Sequence, residues 1–173
     1  MNRLMKMIQS CWRSRVPPDF TTADRSVLEG FLKRLPTGFR FAVEFRHPGW
    51  LEERTYAALS RAGAGHALSD GPWIPRDRVM AAARQPTAEL AYFRWLGHRP
   101  HVSAYTHVQV DRSAEIVAWS VVLEALAKQV REIYGYFNNH YEGHSPASAR
   151  RLMQQLGEPV IEPDELDPQL SLF

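Results

Sequence analysis

The amino-acid sequence predicts an α/β protein built on a parallel sheet. Short runs typical of β-strands begin near residues 39, 64, 89 and 132, and a helical pattern of apolar residues follows each run. Strands that alternate with helices are joined by crossover connections, which make neighbouring strands parallel. The first three strands begin about 25 residues apart, as in a repeated βα unit. In sheets of this kind, ligands bind at the carboxyl ends of the strands.

Length and composition indicate one domain, or a large part of one. The chain has 173 residues, 45% of them hydrophobic, which is enough for one sizeable core. It has neither a run of 18 or more apolar residues nor a secretory leader pattern, so we expect no membrane span and a cytoplasmic protein. Cys11 is the single cysteine, which excludes an intrachain disulfide. The net charge of +2 excludes a general attraction to nucleic acid or anionic membranes and leaves only local basic surfaces.

The predicted strands and helices lie between a basic N-terminal segment and an irregular tail. Residues 1–16 are basic and precede two prolines, and we expect this segment to be poorly packed. Residues 17–157 form the predicted domain, and residues 158–173 form a tail over its surface. The predicted strands are 39–45, 64–70, 89–95 and 132–137, and the predicted helices are 21–35, 50–62, 76–84, 113–130 and 147–156.

Local signals support several of these boundaries. Thr21 and Asp24 form the pattern of a capping box at the start of the first helix. Gly157 follows the last helix, where a left-handed residue commonly ends a helix. The connection over 97–111 is longer than a normal loop, and such loops are commonly functional or mobile.

Polar side chains stand where the predicted strands end. Because the carboxyl ends of parallel strands meet at one edge of a sheet, we expect these side chains to share a rim. The residues are Glu44, Arg46, Asp70, Arg94, Asn138 and Asn139.

Two carboxylates and two arginines carry the chemistry of this predicted rim. Glu44 and Arg46 share a strand face, as an internal ion pair or as a proton carrier beside an anion-binding group. Asp70 is the second candidate proton carrier. Arg94 follows an apolar strand and needs an anionic partner, which is either one of these carboxylates or a ligand.

Uncharged and aromatic groups complete the candidate site. Asn138 and Asn139 offer donors and acceptors for hydroxyls, amides or bases, although one of them could instead satisfy backbone groups in the turn. Tyr105 in the long loop, Trp50 and Trp73 could stack on a sugar or base, although Trp50 could equally pack at a helix start.

Histidines raise the question of a metal. The spacings of His98 with His101, and of His140, Glu142 and His144, are compatible with zinc ligation. No histidine stands at the end of the first three strands, however, so we expect neither a metal nor another cofactor.

Three motifs in order resemble the YecE-like family, known as domain of unknown function 72. They are FAVEFRHPGW at 41–50, AYFRWLG at 91–97 and YGYFNNHYEGHSPASARRL at 134–152, and the chain closes on SLF. The resemblance implies a (β/α) barrel of the TIM type with no assigned activity. Many members have an Arg-x-His-Gly arrangement in the second motif, whereas Trp95, Leu96 and Gly97 follow Arg94 here, so the resemblance implies no catalytic histidine at this place.

The resemblance also implies an incomplete barrel. The family's first three strand motifs have no counterpart here, and a complete barrel needs about 250 residues. We therefore expect an N-terminally truncated barrel with about the C-terminal four βα units. Open sheet edges of such a molecule would favour self-association.

Three hypotheses for function follow. The first is an enzyme, in which Arg46 and Arg94 hold a phosphorylated or otherwise anionic substrate at the mouth. The second is a nucleic-acid-binding or nuclease-like barrel, in which Arg94, Arg99, Arg112 and the loop histidines contact phosphates. The third is a non-functional fragment. The sequence does not decide whether the protein is an enzyme.

Overall fold

A computed structural model describes residues 11–97 and 102–163, with the backbone alone for 11–14. The strands are β1 (Cys11–Arg15), β2 (Arg40–Glu44), β3 (Gly65–Asp70), β4 (Leu90–Trp95) and β5 (Glu132–Phe137). The helices are α1 (Arg25–Leu32), α2 (Glu53–Arg61), α3 (Arg76–Ala82), α4 (Ser113–Leu126) and α5 (Ser145–Gln155), with 3₁₀ turns at Thr22–Asp24 and Pro48–Trp50.

The five strands form one parallel sheet in which the spatial order equals the chain order, β1 to β5. Each connection that contains a helix is a crossover, and crossovers between parallel strands are almost always right-handed. When every crossover has one hand and the strand order never reverses, all helices lie on the same face of the sheet. The molecule is therefore an α/β protein whose sheet is covered by helices on one side.

Two hydrophobic clusters join the sheet to these helices. Val43 and Phe45 pack with the apolar side chains of α1 and α2. Leu68, Phe93 and Ile133 pack with α3, α4 and α5 in the larger cluster. We call this side of the sheet the helix face. The alternation of side chains along a strand places these residues together, since every second residue points to the same side.

The opposite side, which we call the polar face, carries charged and tyrosine side chains. Register pairing aligns Glu44 with Ala67, Ala67 with Tyr92 and Tyr92 with Tyr134. One step towards the carboxyl edge, Arg94 pairs with Ser69 on one side and with Tyr136 on the other. Tyr92 stacks on both Tyr134 and Tyr136, and Arg94 is the register partner of Tyr136.

Most of the predicted elements are present with small shifts at their ends. Strand β5 has the predicted bounds, and the other three predicted strands differ by one or two residues. Thr21 and Asp24 form the capping box, and Gly157 has a φ of +69°. The helix predicted to begin at 50 starts instead at Glu53, because a 3₁₀ turn over Pro48–Trp50 precedes it.

The N-terminal segment differs from the expectation of poor packing. Residues Cys11–Arg15 form β1, which pairs in register with all five residues of β2. The sequence CWRSR lacks an apolar alternation, and the hydrogen bonds of the neighbouring strand determine its conformation instead. The rest of the segment, residues 1–10, and most of the tail, residues 164–173, lie outside the described residues. In the part of the chain that is described, no helix has both the length and the apolar composition needed to cross a membrane.

Candidate functional site

The centre of the candidate site is an ion pair between Glu44 and Arg94. Glu44 ends β2 and is fully buried. Arg94, from β4, donates from Nη1 to both carboxylate oxygens, at 3.1 Å and 2.9 Å. The intervening strand carries only Ala67 and Ser69 at these levels. Small side chains there leave room for the long arginine to reach the carboxylate two strands away.

Arg46 is the second guanidinium of the site. Its Nε lies 3.7 Å from Glu44 Oε1, and its guanidinium carbon lies 4.1 Å from the centre of the Trp73 ring. A cation at this distance from an indole face is attracted by the ring, so Trp73 helps to hold the guanidinium in place. Among the described residues, no acceptor completes a hydrogen bond with the buried Nε of Arg46. The ring of Trp73 and the charge of Glu44 therefore position this arginine.

The charges of this cluster do not cancel. Among the described residues, the guanidiniums of Arg46 and Arg94 both lie beside this one carboxylate, an excess of one positive charge within this set. The arginine side chains are 16% and 21% exposed, whereas the carboxylate is sealed from solvent. On the same face, the Ser69 hydroxyl is buried without a hydrogen-bond partner among the described residues. The two partly exposed guanidiniums thus present positive charge towards solvent, whereas the carboxylate lies behind them.

Asp70 does not belong to this cluster, which corrects the prediction of a shared rim. Its register partner is Trp95, a core residue of the helix face. Its Oδ2 accepts hydrogen bonds from Arg76 Nε at 2.8 Å and from Trp119 Nε1 at 2.9 Å. The carboxylate is 2% exposed. It anchors α3 and α4 to the end of β3 from the side opposite to Glu44.

The two asparagines after β5 both make local backbone contacts. Asn138 Oδ1 accepts from His140 N at 2.9 Å, and Asn139 Oδ1 accepts from Ser145 N at 2.8 Å. The second bond satisfies a backbone N–H at the first position of α5, so Asn139 acts as a helix cap from outside the helix. The sequence left open that one asparagine satisfies backbone groups of the turn. In the structure, the side-chain oxygens of both asparagines do so. The structure gives neither residue a contact with Glu44 or Arg94.

The three aromatic candidates lie in different surroundings. Tyr105 is 47% exposed, and its hydroxyl lies 3.2 Å from His140 Nε2. Trp50 is fully buried, and its Nε1 donates to Phe20 O at 2.8 Å, so it is a core residue. Only Trp73 contacts the arginine cluster. Sequence reasoning missed Ser69, which has the same strand parity as Ala67, and it considered Trp73 only for stacking on a ligand, not on Arg46.

Backbone conformation and close packing explain why the second motif ends on a glycine. Gly97 has a φ of +72°, a conformation that side chains with a Cβ rarely adopt. A Cβ on this residue would also overlap the backbone of His140 and Tyr141. The end of β4 therefore packs directly against the turn that follows β5. This contact holds the two strand ends together at the carboxyl edge of the sheet.

The residues considered for metal and phosphate binding are dispersed or engaged. Within the described residues, no three His, Cys, Asp or Glu side chains come together as a metal site. Glu142 is buried and contacts Arg151 at 2.5 Å. Arg112 donates to Tyr141 O at 2.6 Å rather than facing outwards. His98, Arg99 and His101 lie outside the described residues.

A cleft of about 660 Å³ opens at the opposite, amino edge of the sheet. Its walls include Arg40, Glu89, Arg131 and Glu132, and Arg40 is paired there with Glu132. In parallel α/β sheets the carboxyl edge, not the amino edge, is the usual ligand site. We therefore centre the site on the arginine cluster.

Comparisons with known proteins identify the family. A crystal structure of a DUF72 family protein from Thermotoga maritima is 25% identical, with a TM-score of 0.65, and the match covers 86% of this chain and 58% of that chain. A DUF72 family protein from Enterococcus faecalis is 16% identical, with a TM-score of 0.66 and coverages of 86% and 61%. No curated protein matches the sequence. The chain thus spans about three fifths of the length of these relatives. The family model described as protein of unknown function DUF72 matches residues 4–170, so the chain belongs to the DUF72 family.

Proposed function

We propose that the sheet is a sector of a (β/α) barrel and that its carboxyl edge binds an anionic small molecule through Arg46 and Arg94. The sequential strand order and the single helical face support the barrel, because a doubly wound sheet has helices on both faces and a reversal of strand order. In this arrangement the polar face lines the barrel interior. The arginine cluster then lies at the mouth.

The observation that carries the proposal is the excess of positive charge around a sealed carboxylate. Glu44 contacts Arg94 through both oxygens and has no exposed surface. A buried carboxylate with one arginine would be a neutral structural pair. The second arginine, which lies over Trp73 and 3.7 Å from Glu44, adds a further positive charge to this pair. An anion that enters from solvent would supply the missing negative charge.

The geometry favours a phosphate or carboxylate group as the bound portion of the ligand. Guanidinium groups present paired N–H donors that match the oxygens of these anions. The hydroxyl of Ser69 adds an uncharged donor on the same face as Arg94. We assign binding of the anion to Arg46 and Arg94.

Glu44 is proposed as a positioning residue rather than a proton carrier. Both of its oxygens already accept hydrogen bonds from Arg94, and solvent does not reach it. We assign no proton transfer at this mouth to Asp70, because it lies on the helix face and bonds Arg76 and Trp119 there. An enzymatic reaction there would need its proton carrier from the ligand or from another part of the barrel.

Titration with inorganic phosphate, followed by isothermal calorimetry, tests the proposal. We expect saturable binding that weakens about tenfold or more in Arg46→Gln, because one charge-assisted contact is removed. Arg84→Gln is the matched control, since Arg84 is an exposed arginine just beyond α3. Equal loss in both variants, or no binding by the wild-type chain to phosphate, acetate or sulfate, would contradict an anion site at the mouth.

A further inference from the structure

Ser69 is the residue of β3 that lies between the two arginines of the mouth. Its register partner on β4 is Arg94. On the other side of β3, Glu44 of β2 pairs with Ala67, and Arg46 and Ser69 each follow that pair by two residues. Because side chains alternate along a strand, Ser69 shares the polar face with Ala67. It therefore lies at the level of both arginines, on the strand between them.

The hydroxyl of Ser69 is buried without a hydrogen-bond partner among the described residues. The residue is 8% exposed. Most buried polar side-chain atoms in native proteins have at least one such partner. A serine hydroxyl has a hydrogen to donate, whereas the neighbouring arginines have only N–H donors. The arginines therefore cannot accept the hydrogen of Ser69.

Other buried serines of the molecule show how this need is usually met. The hydroxyls of Ser120 and Ser148 donate to backbone carbonyl oxygens three and four residues earlier in the chain. No such carbonyl serves Ser69, and both oxygens of Glu44 accept from Arg94. The buried serine at the mouth is thus the one whose acceptor is absent from the described residues.

We propose that the anion bound at the mouth is a phosphoryl group and that Ser69 donates a hydrogen bond to one of its oxygens. This inference rests on the proposed function and narrows the class of its ligand. Arg46 follows β2, Arg94 belongs to β4, and Ser69 belongs to the strand between them. The anion is therefore met by donors from both sides and from the sheet beneath it.

Donors in three directions fit a tetrahedral group better than a planar one. A carboxylate between two guanidiniums turns one oxygen towards each of them. Hydrogen-bond donors prefer to lie near the plane of an sp² oxygen, so a third donor outside that plane makes a poor bond. A phosphoryl group has a third terminal oxygen that can point towards the sheet while the other two contact the arginines.

The side chains of β3 leave room for such a group. Ala67 and Ser69, the last residues of β3 on this face, are small, whereas the positions on either side carry long arginines. The arginine side chains are 21% and 16% exposed, so a ligand reaches them from solvent. An oxygen that enters between the two guanidiniums then meets the hydroxyl of Ser69 behind them.

Calorimetric titration with methyl phosphate, methanesulfonate and acetate tests the inference. Methanesulfonate and acetate carry the same charge, but only methanesulfonate presents three oxygens. In Ser69→Ala we expect the affinity for the two tetrahedral anions to fall about tenfold more than the affinity for acetate, because a hydrogen bond to a charged group is lost. Ser60→Ala is the matched control, since Ser60 is exposed near the opposite, amino edge.

The same variant separates a binding role from a structural one. Ser69→Ala removes a hydroxyl that has no partner, so its thermal unfolding should match that of the wild-type chain or occur at a higher temperature. A less stable variant would show a structural role for the hydroxyl and overturn the inference.

Three binding results would also overturn the inference. Equal losses for acetate and methyl phosphate in Ser69→Ala, or no loss for either, would leave the anion site of Arg46 and Arg94 in place without a phosphoryl preference. Glycolate that binds as tightly as methyl phosphate and depends equally on Ser69 would indicate a hydroxy acid instead. Absence of binding of all these anions by the wild-type chain would overturn the proposed function as well.

Discussion

Two buried carboxylates at the carboxyl edge of the sheet have opposite surroundings. Glu44 lies on the polar face with two partly exposed arginines. Asp70 lies on the helix face, where Trp119 and Arg76 satisfy one of its oxygens. The first carboxylate therefore belongs to a cluster that reaches solvent, and the second belongs to the packing between sheet and helices.

The difference shows that a place at the end of a strand determines how far along the sheet a side chain lies. It does not determine which face of the sheet the side chain occupies. Side chains alternate along a strand, so a shift of one residue moves a polar group to the other side of the sheet. Ser69 rather than Asp70 pairs with Arg94 in the register. The polar group of β3 that shares the face of Glu44 is accordingly a hydroxyl, not a carboxylate.

The largest loss of stability is expected when one member of the Glu44–Arg94 ion pair on the polar face is replaced. Arg94→Gln leaves the fully buried Glu44 without its main charge partner. We expect the free energy of unfolding to fall by about 3–5 kcal/mol, because the buried carboxylate loses both hydrogen bonds from Arg94, and Arg46 Nε, at 3.7 Å, does not replace them. Urea-induced unfolding measures the loss. The matched double variant Glu44→Gln with Arg94→Gln should recover most of it, and a double variant no more stable than Arg94→Gln would contradict the pairing.

The helix face contains a titrating group whose effect on stability is almost as large. His66 is 7% exposed between Phe45 and Tyr56, and burial lowers its pKa to about 4 from 6.5. As the pH falls through the window from 6.5 to about 4, the unfolded chain takes up a proton that the folded chain refuses. We therefore expect the fold to lose on the order of 3 kcal/mol across this window and to regain it as the pH rises.

His66→Leu isolates this contribution from that of the carboxylates. Unfolding by urea at a series of pH values should show a steeper loss for the wild-type chain than for the variant below pH 6.5. His107→Leu is the control, since His107 is exposed. Parallel stability curves for wild type and His66→Leu would show that the histidine is not buried in neutral form.

Replacement of the helix-face carboxylate separates stability from binding. Asp70→Asn weakens the charge-assisted hydrogen bonds from Arg76 and Trp119, and we expect a loss of about 2 kcal/mol in the free energy of unfolding. Phosphate affinity should stay unchanged, because Asp70 does not share the polar face with Arg94. Calorimetry on the folded variant measures this, and a tenfold change in affinity would place Asp70 in the site.

The smallest effect concerns the two asparagines. Asn139→Ala removes the bond to Ser145 N at the start of α5 and should cost about 1 kcal/mol. Asn138→Ala removes a bond in an exposed turn and should cost less. Thermal unfolding of the two variants side by side measures both. A larger loss in Asn138→Ala, or phosphate binding lost in either one, would contradict their assignment to the turn.

The fold was predictable where the sequence pattern is local. Strands β2 to β5 and all five helices follow from alternation, helical spacing and caps such as that at Thr21. Strand β1 was not predictable in this way. Its sequence, Cys11–Arg15, has two arginines and no apolar alternation, and it becomes a strand through pairing with β2. That information is tertiary and is not contained in the segment itself.

The candidate site was predictable in part, for the same reason. Glu44, Arg46 and Arg94 come together because strand parity and the parallel register place them on one face. The role of Trp73 depends on the path of the loop after β3, which no periodicity describes. Asp70 shows the limit of this reasoning, since a place at the end of a strand does not determine which face of the sheet a side chain occupies.

A crystal structure of the protein soaked in phosphate would test the central claim most directly. The account predicts a phosphate on the polar face, with oxygens about 2.7–3.2 Å from guanidinium nitrogens of both Arg46 and Arg94. Glu44 should remain behind the arginines, without contact to the anion. Phosphate bound only at the amino-edge cleft beside Arg131, with both mouth arginines unoccupied, would contradict the account.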